Sequence, residues 1–214
     1  MMDFLNPLGN LEADREADGN ARGLAIGRVT DNKDPQGLAR VRVRLPWQPE
    51  SQQSYWARLA VPMALAGQGF VWIPEVDEEV LVGFEMGDLT HPCILGSLWN
   101  GKSKPPENNS DGKNDHRLIR TRANSELRFF DGNPPSVELS LADGKHLKMD
   151  DQGIVIEDGQ GNRIEIKSGS GALEIKSNTQ IKLESPSISI KADASLELKS
   201  SGSLTINGTI VNIN

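Results

Sequence analysis

The chain has 214 residues, of which 25% are charged, 36% hydrophobic and only 5% aromatic. That length allows one to two domains, and few aromatics with much Gly, Ser and Asn suit narrow β structure better than a large globular core. The formal net charge of −7 speaks against a nucleic-acid binder held by phosphate contacts, and the single cysteine, Cys93, rules out an intrachain disulfide framework.

Residues 1–21 place Phe4, Leu5, Leu8 and Leu11 among Pro7, Gly9, Asn10 and several acids. Gly and Pro break a helix here, which leaves a disordered leader or an arm that orders on a partner surface. The start, Met-Met-Asp-Phe-Leu, has no basic region followed by an apolar one. A signal peptide is therefore not expected, and the product is expected to be made in the cytoplasm. No 18-residue apolar run occurs, so no transmembrane helix is expected.

Residues 22–99 read as a compact β domain. Leu24–Asp31 is the first strand, and Asp31–Gly37 is a turn by its Asn, Asp, Pro and Gly content. Ala39, Val41, Val43 and Leu45 then alternate with Arg40, Arg42 and Arg44, a half-buried strand with arginines on its wet face. Trp56–Val61, Phe70–Ile73, Val80–Phe84 and Ile94–Trp99 supply further strands. So many short strands suggest a small closed barrel, because closure removes exposed edges. The arginine stripe beside Trp47, Tyr55 and Trp56 suggests nucleic-acid binding, but Glu50, Glu75, Asp77, Glu78, Glu79 and Glu85 offset its charge.

Residues 100–116 read as a linker of Pro, Gly, Asn and charge. Leu118–Arg122, Leu127–Phe130 and Val137–Leu141 are transitional strands. A repeat follows, with apolar pairs one residue apart: Leu147/Met149, Ile154/Ile156, Ile164/Ile166, then Leu173/Ile175, Ile181/Leu183, Ile188/Ile190, Leu196/Leu198, Leu204/Ile206 and Val211/Ile213. This is the two-residue period of a strand with one buried face. From Leu173 onward the pairs return every seven or eight residues, and the two steps before that, from Ile154 and from Ile164, are somewhat longer. A short strand-and-turn repeat is the signature of a β-solenoid or fibre.

A strand with one apolar face needs a partner face, and eight residues are too few to close one coil around their own core. Three identical chains around one axis solve both problems. The axis would be lined by Leu173, Ile175, Ile181, Leu183, Ile188, Ile190, Leu196, Leu198, Leu204 and Ile206, with backbone hydrogen bonds running between chains. The alternative is a wide single-chain β-solenoid.

Gly96–Ser103 fits the phosphate-loop pattern G-x-x-x-x-G-K-[ST]. That motif needs a helix starting at the Lys-Ser, and Lys104-Pro105-Pro106 opposes one. His91, His116 and His146 are scattered and lack metal spacing. Paired acids such as Asp150/Asp151 fall at expected turns. No catalytic residue, cofactor site or metal site is expected.

Several segments together carry a family resemblance: Gly27–Asp31, Gly37–Trp47, Trp56–Met63, Gly69–Val76, Glu79–Glu85 and Ile94–Gly101. They resemble the OB-fold domain of phage baseplate assembly protein V and VgrG-type spike proteins, and the C-terminal repeat resembles their triple-stranded β-helix. The resemblance covers about residues 22–214. It implies an all-β fold: an OB-fold barrel (22–99), a linker (100–116) and an intertwined trimeric β-prism needle (117–214). It implies a non-enzymatic, membrane-puncturing central spike of a contractile phage tail, tailocin or related injection machine, assembled into that particle. The implied partners are two further copies of the chain, a hub protein, a PAAR-like tip protein and the target envelope on firing, with no nucleic acid. A lysozyme domain between barrel and needle and a His-x-His metal tip, both found in some relatives, have no counterpart residues here. After Lys199 no side chain is charged, and an open-edged uncharged end invites a cover. Ile210, Val211, Ile213 and Asn214 are the expected cap-docking residues. A nucleic-acid or carbohydrate binder of the OB type on a β stalk is the alternative function.

Overall fold

The structure, a computed structural model, describes residues 23–213. The expected N-terminal arm and Asn214 lie outside these residues. The chain divides into two units between Asn108 and Asn109. Among the described residues there is no α-helix, and the regular structure is all-β but for one short 3-10 turn.

The first unit is built on β1 (Ala25–Asp31), β2 (Arg42–Arg44), β3 (Arg58–Leu59), β4 (Ala64–Leu65), β5 (Gln68–Gly69), β6 (Glu79–Phe84) and β7 (Pro92–Ser97). Its main sheet runs β2-β1-β6-β7-β3, with β3 and β7 parallel. Val41 and Ala57 exchange both backbone hydrogen bonds, at 3.1 and 2.7 Å, and so close the sheet on itself. Alternate residues point inward. Val29, Val41, Val43, Val80 and Val82 are fully buried, with Trp47, Leu59, Ile73 and Phe84 packed around them. Gly27 is small because the core is full there: a Cβ would sit 3.1 Å from Val43 and Val82.

The strand expected over Ala39–Leu45 is shared out rather than continuous. Arg42–Arg44 pairs with β1, while Val41 pairs with Ala57 and Val43 takes the Ser54 amide at 2.8 Å. The strand expected at Phe70–Ile73 does not form. A tight β4–β5 hairpin stands before it, with Gly67 at φ 70° and Gly69 at φ 151°, and Pro74 ends the run without a ladder donor.

The arginine stripe also differs from expectation. Arg40 is not a free solvated cation: it grips Asp34 through Nε (2.8 Å) and Nη2 (2.9 Å). Asp34 further accepts the Gln36 and Leu38 amides, and its side chain is only 2% exposed. Hydrogen bonding from the Arg40 guanidinium, helped by those amides against the cost of burial, holds the Asp34 carboxyl far below the usual carboxylate range. A depressed folded-state pKa stabilises the fold above the unfolded pKa of about 4 and loses that contribution as pH falls toward the folded value. All four tryptophans lie in this unit, so tryptophan fluorescence reports its unfolding. The melting temperature by fluorescence should therefore fall below about pH 4. Asp34→Asn should melt lower at neutral pH and lose part of that acid sensitivity; an unchanged pH profile would show that the clasp does not matter.

The second unit begins with a seven-stranded antiparallel meander: β8 (His116–Arg120), β9 (Glu126–Phe130), β10 (Ser136–Ser140), β11 (His146–Asp150), β12 (Gly153–Glu157), β13 (Arg163–Lys167) and β14 (Ala172–Lys176). Each strand has five residues and pairs only with its sequence neighbours. This corrects the expectation that backbone hydrogen bonds run between chains along the whole needle: through Lys176 they run within one chain. The expected transitional strands are part of the same sheet. The cause is in the loops. At one end, Thr121–Ser125, Leu141–Lys145 and Asp158–Asn162 share one five-residue design. Its first residue's amide bonds the last one's carbonyl, and its fourth, Asn124, Gly144 or Gly161, has positive φ. Such loops reverse the chain into a hairpin. Residues 177–213 form no strand.

Candidate interaction surface

In-register pairing sorts the meander's side chains into two faces. On one face, Ile119, Leu127, Leu139, Leu147, Ile156, Ile164 and Ile175 form a continuous row from β8 to β14. Beside it runs a second row: Phe129, Val137, Met149, Ile154, Ile166 and Leu173. This apolar face is bare in the single chain: Leu139 is 50% exposed, Ile164 42% and Leu173 63%.

The opposite face carries the charge. Arg128, Glu138 and Lys148 stand directly opposite one another on successive strands, an arrangement that supports the sheet. Glu126 is only 8% exposed. It accepts from Arg128 Nε at 2.6 Å and from Arg120 Nε at 2.5 Å. Hydrogen bonding from Arg128 first, and from Arg120 after the cost of burial, lowers its pKa. Glu165 and Glu174 face each other as like charges. Arg163 at 3.0 Å from Glu165, and Lys167 on Glu174, offset that repulsion. Glu126 is thus covered while the aliphatic rows of the other face stand open, the reverse of a finished domain. A single sheet layer buries its apolar face only against another layer.

The expected axis residues fall in two places. Leu173 and Ile175 are on β14, at the end of the apolar face. Ile181, Leu183, Ile188, Ile190, Leu196, Leu198, Leu204 and Ile206 lie in the segment without strands, each at least 52% exposed. Of the expected cap-docking residues, Ile210, Val211 and Ile213 are exposed there too.

The other sequence features are occupied locally. In the phosphate-loop pattern, Asn100 Oδ1 accepts the Lys102 and Ser103 amides at 2.8 and 2.7 Å, so those donors are already used. His91 bonds Asp88 at 2.9 Å, His146 lies 3.7 Å from Glu157, and His116 packs on Phe130. Among the described residues no cluster of His, Cys, Asp or Glu could hold a metal. Trp56 is covered by Arg40 and Arg42, at 5.9 and 4.7 Å from its ring centre. Sequence reasoning missed the exposed apolar patch formed by the β4–β5 hairpin and the aromatic run that follows it. There Phe70 stacks on Trp72 at 5.9 Å, and Leu65 and Val71 stand out to solvent. The Gly67-Gln-Gly69 turn was its only signal.

Residues 25–99 match the family described as the type VI secretion system/phage-baseplate injector OB domain. That match takes in every strand of the barrel. Three relatives extend the comparison. The type VI secretion system spike protein VgrG2a of Pseudomonas aeruginosa is 25% identical over 140 residues, 64% of this chain and 16% of that protein. The actin cross-linking toxin VgrG1 of Vibrio cholerae is 30% identical over 130 residues, 56% of this chain and 11% of that protein. The spike protein VgrG4b of Pseudomonas aeruginosa is 38% identical over 71 residues, 31% of this chain. The resemblance to baseplate and VgrG-type spike proteins read from the sequence is borne out. The chain spans less than a fifth of the length of these curated relatives. No described helix is long and apolar enough to cross a membrane.

Proposed function

We infer that this chain is the structural central spike of a contractile injection machine, working as a homotrimer that joins a tube hub to a tip cap and punctures the target envelope. The observation that carries this reading is the uncovered apolar face of the β8–β14 sheet, continued by a segment that has the same apolar pairs and no in-chain strand partners. Three copies of the sheet, apolar faces inward, make a triangular prism. Seven strands about 4.8 Å apart give that prism a height of about 30 Å. Below Lys176 each chain contributes one short strand per level, and its backbone groups find partners only on neighbouring chains. Burial of otherwise exposed aliphatic rows stabilises the trimer, and continuous hydrogen bonding makes it stiff along its axis.

The injector OB domain sits at the other end of the chain. Its exposed apolar patch offers the surface that a hub contact needs. The uncharged end around Ile210, Val211 and Ile213, with Asn214, is the proposed seat of a PAAR-like cap. The role is mechanical and non-enzymatic.

The native mass, by light scattering after size exclusion, tests this. The expected result is three chain masses in an elongated particle. A compact monomer would mean that the apolar face closes on something in its own chain, and the puncturing role would lose its physical basis.

A further inference from the structure

The sheet has two outer strands, β8 and β14, whose outer edges no other described strand takes up, and the chain runs on towards the apolar repeat from β14. An open edge is a template for pairing. We propose that residues 181–183 of a second copy of this chain take that edge, with Lys182 of the incoming strand opposite Glu174. This rests on the trimeric reading above and deepens it, by naming the joint at which the chains pass from separate faces to shared ones.

Three observations carry the joint. The first is how the chain leaves the sheet. Beyond β14, the Asn178 amide bonds Asn162 Oδ1 at 2.9 Å, and Asn178 Nδ2 bonds the Gln160 carbonyl at 2.5 Å. These bonds pin the exit onto the β12–β13 loop, where a further hairpin would have had to begin. Residues 177–180 accordingly lack the five-residue hairpin loop found at that end of the sheet. The segment that follows does not return to its own β14.

The second observation is spacing. Ile181 and Leu183 repeat the one-apart pattern of Leu173 and Ile175. Matching apolar with apolar places the middle residues, Lys182 and Glu174, opposite each other whether the strands run parallel or antiparallel.

The third is charge. Glu174 already faces Glu165 across β13 and has Lys167 as its cation. A carboxylate with a like charge on one side is stabilised by a cation on the other. Among the described residues Lys182 pairs only with Glu184, at 2.6 Å and well exposed, a contact that costs little to rearrange.

The test uses the full chain with Cys93→Ser, Glu174→Cys and Lys182→Cys. Directly opposed Cβ atoms on paired strands come within disulfide range. Oxidation is expected to give a covalent trimer on a non-reducing gel, because three links close a ring, and neither single-cysteine variant should. A particle of three chain masses without interchain links would overturn the joint and leave the spike reading standing. A monomer would overturn both. A link within one chain would overturn the crossing. As an independent check, Glu174→Lys should lower the melting temperature of the trimer and Lys182→Glu should restore it; a double variant no better than the single overturns the pairing.

Discussion

Ile190→Asp is expected to abolish the trimer. Under the proposed assembly Ile190 of each chain points at the axis, so the substitution brings three carboxylates to one level in an apolar channel. Burying each without a partner costs several kcal/mol, and mutual repulsion adds to that. The side chain is 65% exposed in the single chain, so the barrel should fold normally, with unchanged tryptophan fluorescence. Light scattering should then read one chain mass of 23.3 kDa. A heat-stable trimer from this variant would remove Ile190 from the axis.

The second large effect is expected at Gly153, the first residue of β12. Its φ is 144°, a conformation that side-chain-bearing residues rarely adopt, and a Cβ there would lie 1.8 Å from the Ile166 carbonyl oxygen. That oxygen belongs to the neighbouring strand β13, so neither side can give way without breaking the ladder. Gly153→Ala should cost about 3 kcal/mol or more, in the range of strained-backbone and ladder-breaking changes. Gly169 has open space around it and no positive φ, so Gly169→Ala should stay within about 0.5 kcal/mol. Thermal unfolding followed by far-ultraviolet circular dichroism separates the two. Equal melting temperatures would mean that the β12–β13 ladder does not limit stability.

The two-residue apolar period was legible throughout the second unit. Leu147/Met149, Ile154/Ile156, Ile164/Ile166 and Leu173/Ile175 fall on β11, β12, β13 and β14, all on one face. That period says which face is apolar but not which chain supplies the neighbouring strand, so the in-chain meander went unread. Step length alone does not distinguish the two. The seven-residue step from Leu147 to Ile154 holds the β11–β12 hairpin, closed by Asp151 and Gln152 alone, whereas the ten-residue step from Ile154 to Ile164 holds the five-residue loop Asp158–Asn162. The seven- or eight-residue steps after Leu173 have the length of the first kind. In the barrel, the inward alternation of Val41, Val43 and Leu45 was readable. The Asp34–Arg40 clasp was not, because Arg40 obeys the strand pattern in sequence and departs from it only when Ala39 takes a φ of 56°. The residues proposed for the axis share one pattern in sequence: Ile181 and Leu183 repeat the one-apart spacing of Leu173 and Ile175.

The meander from His116 to Lys176 lays strands side by side across the direction of stacking. Six strand spacings raise it only about 29 Å, whereas the same stretch as a single α-helix would reach about 90 Å. The chain therefore goes into breadth rather than reach. A slender column under end load fails by bowing sideways, and resistance to bowing rises steeply with width. Folding the chain back and forth trades two-thirds of the length a helix would reach for a broad, laterally bonded wall, and under the proposed assembly three such walls brace one another against bowing.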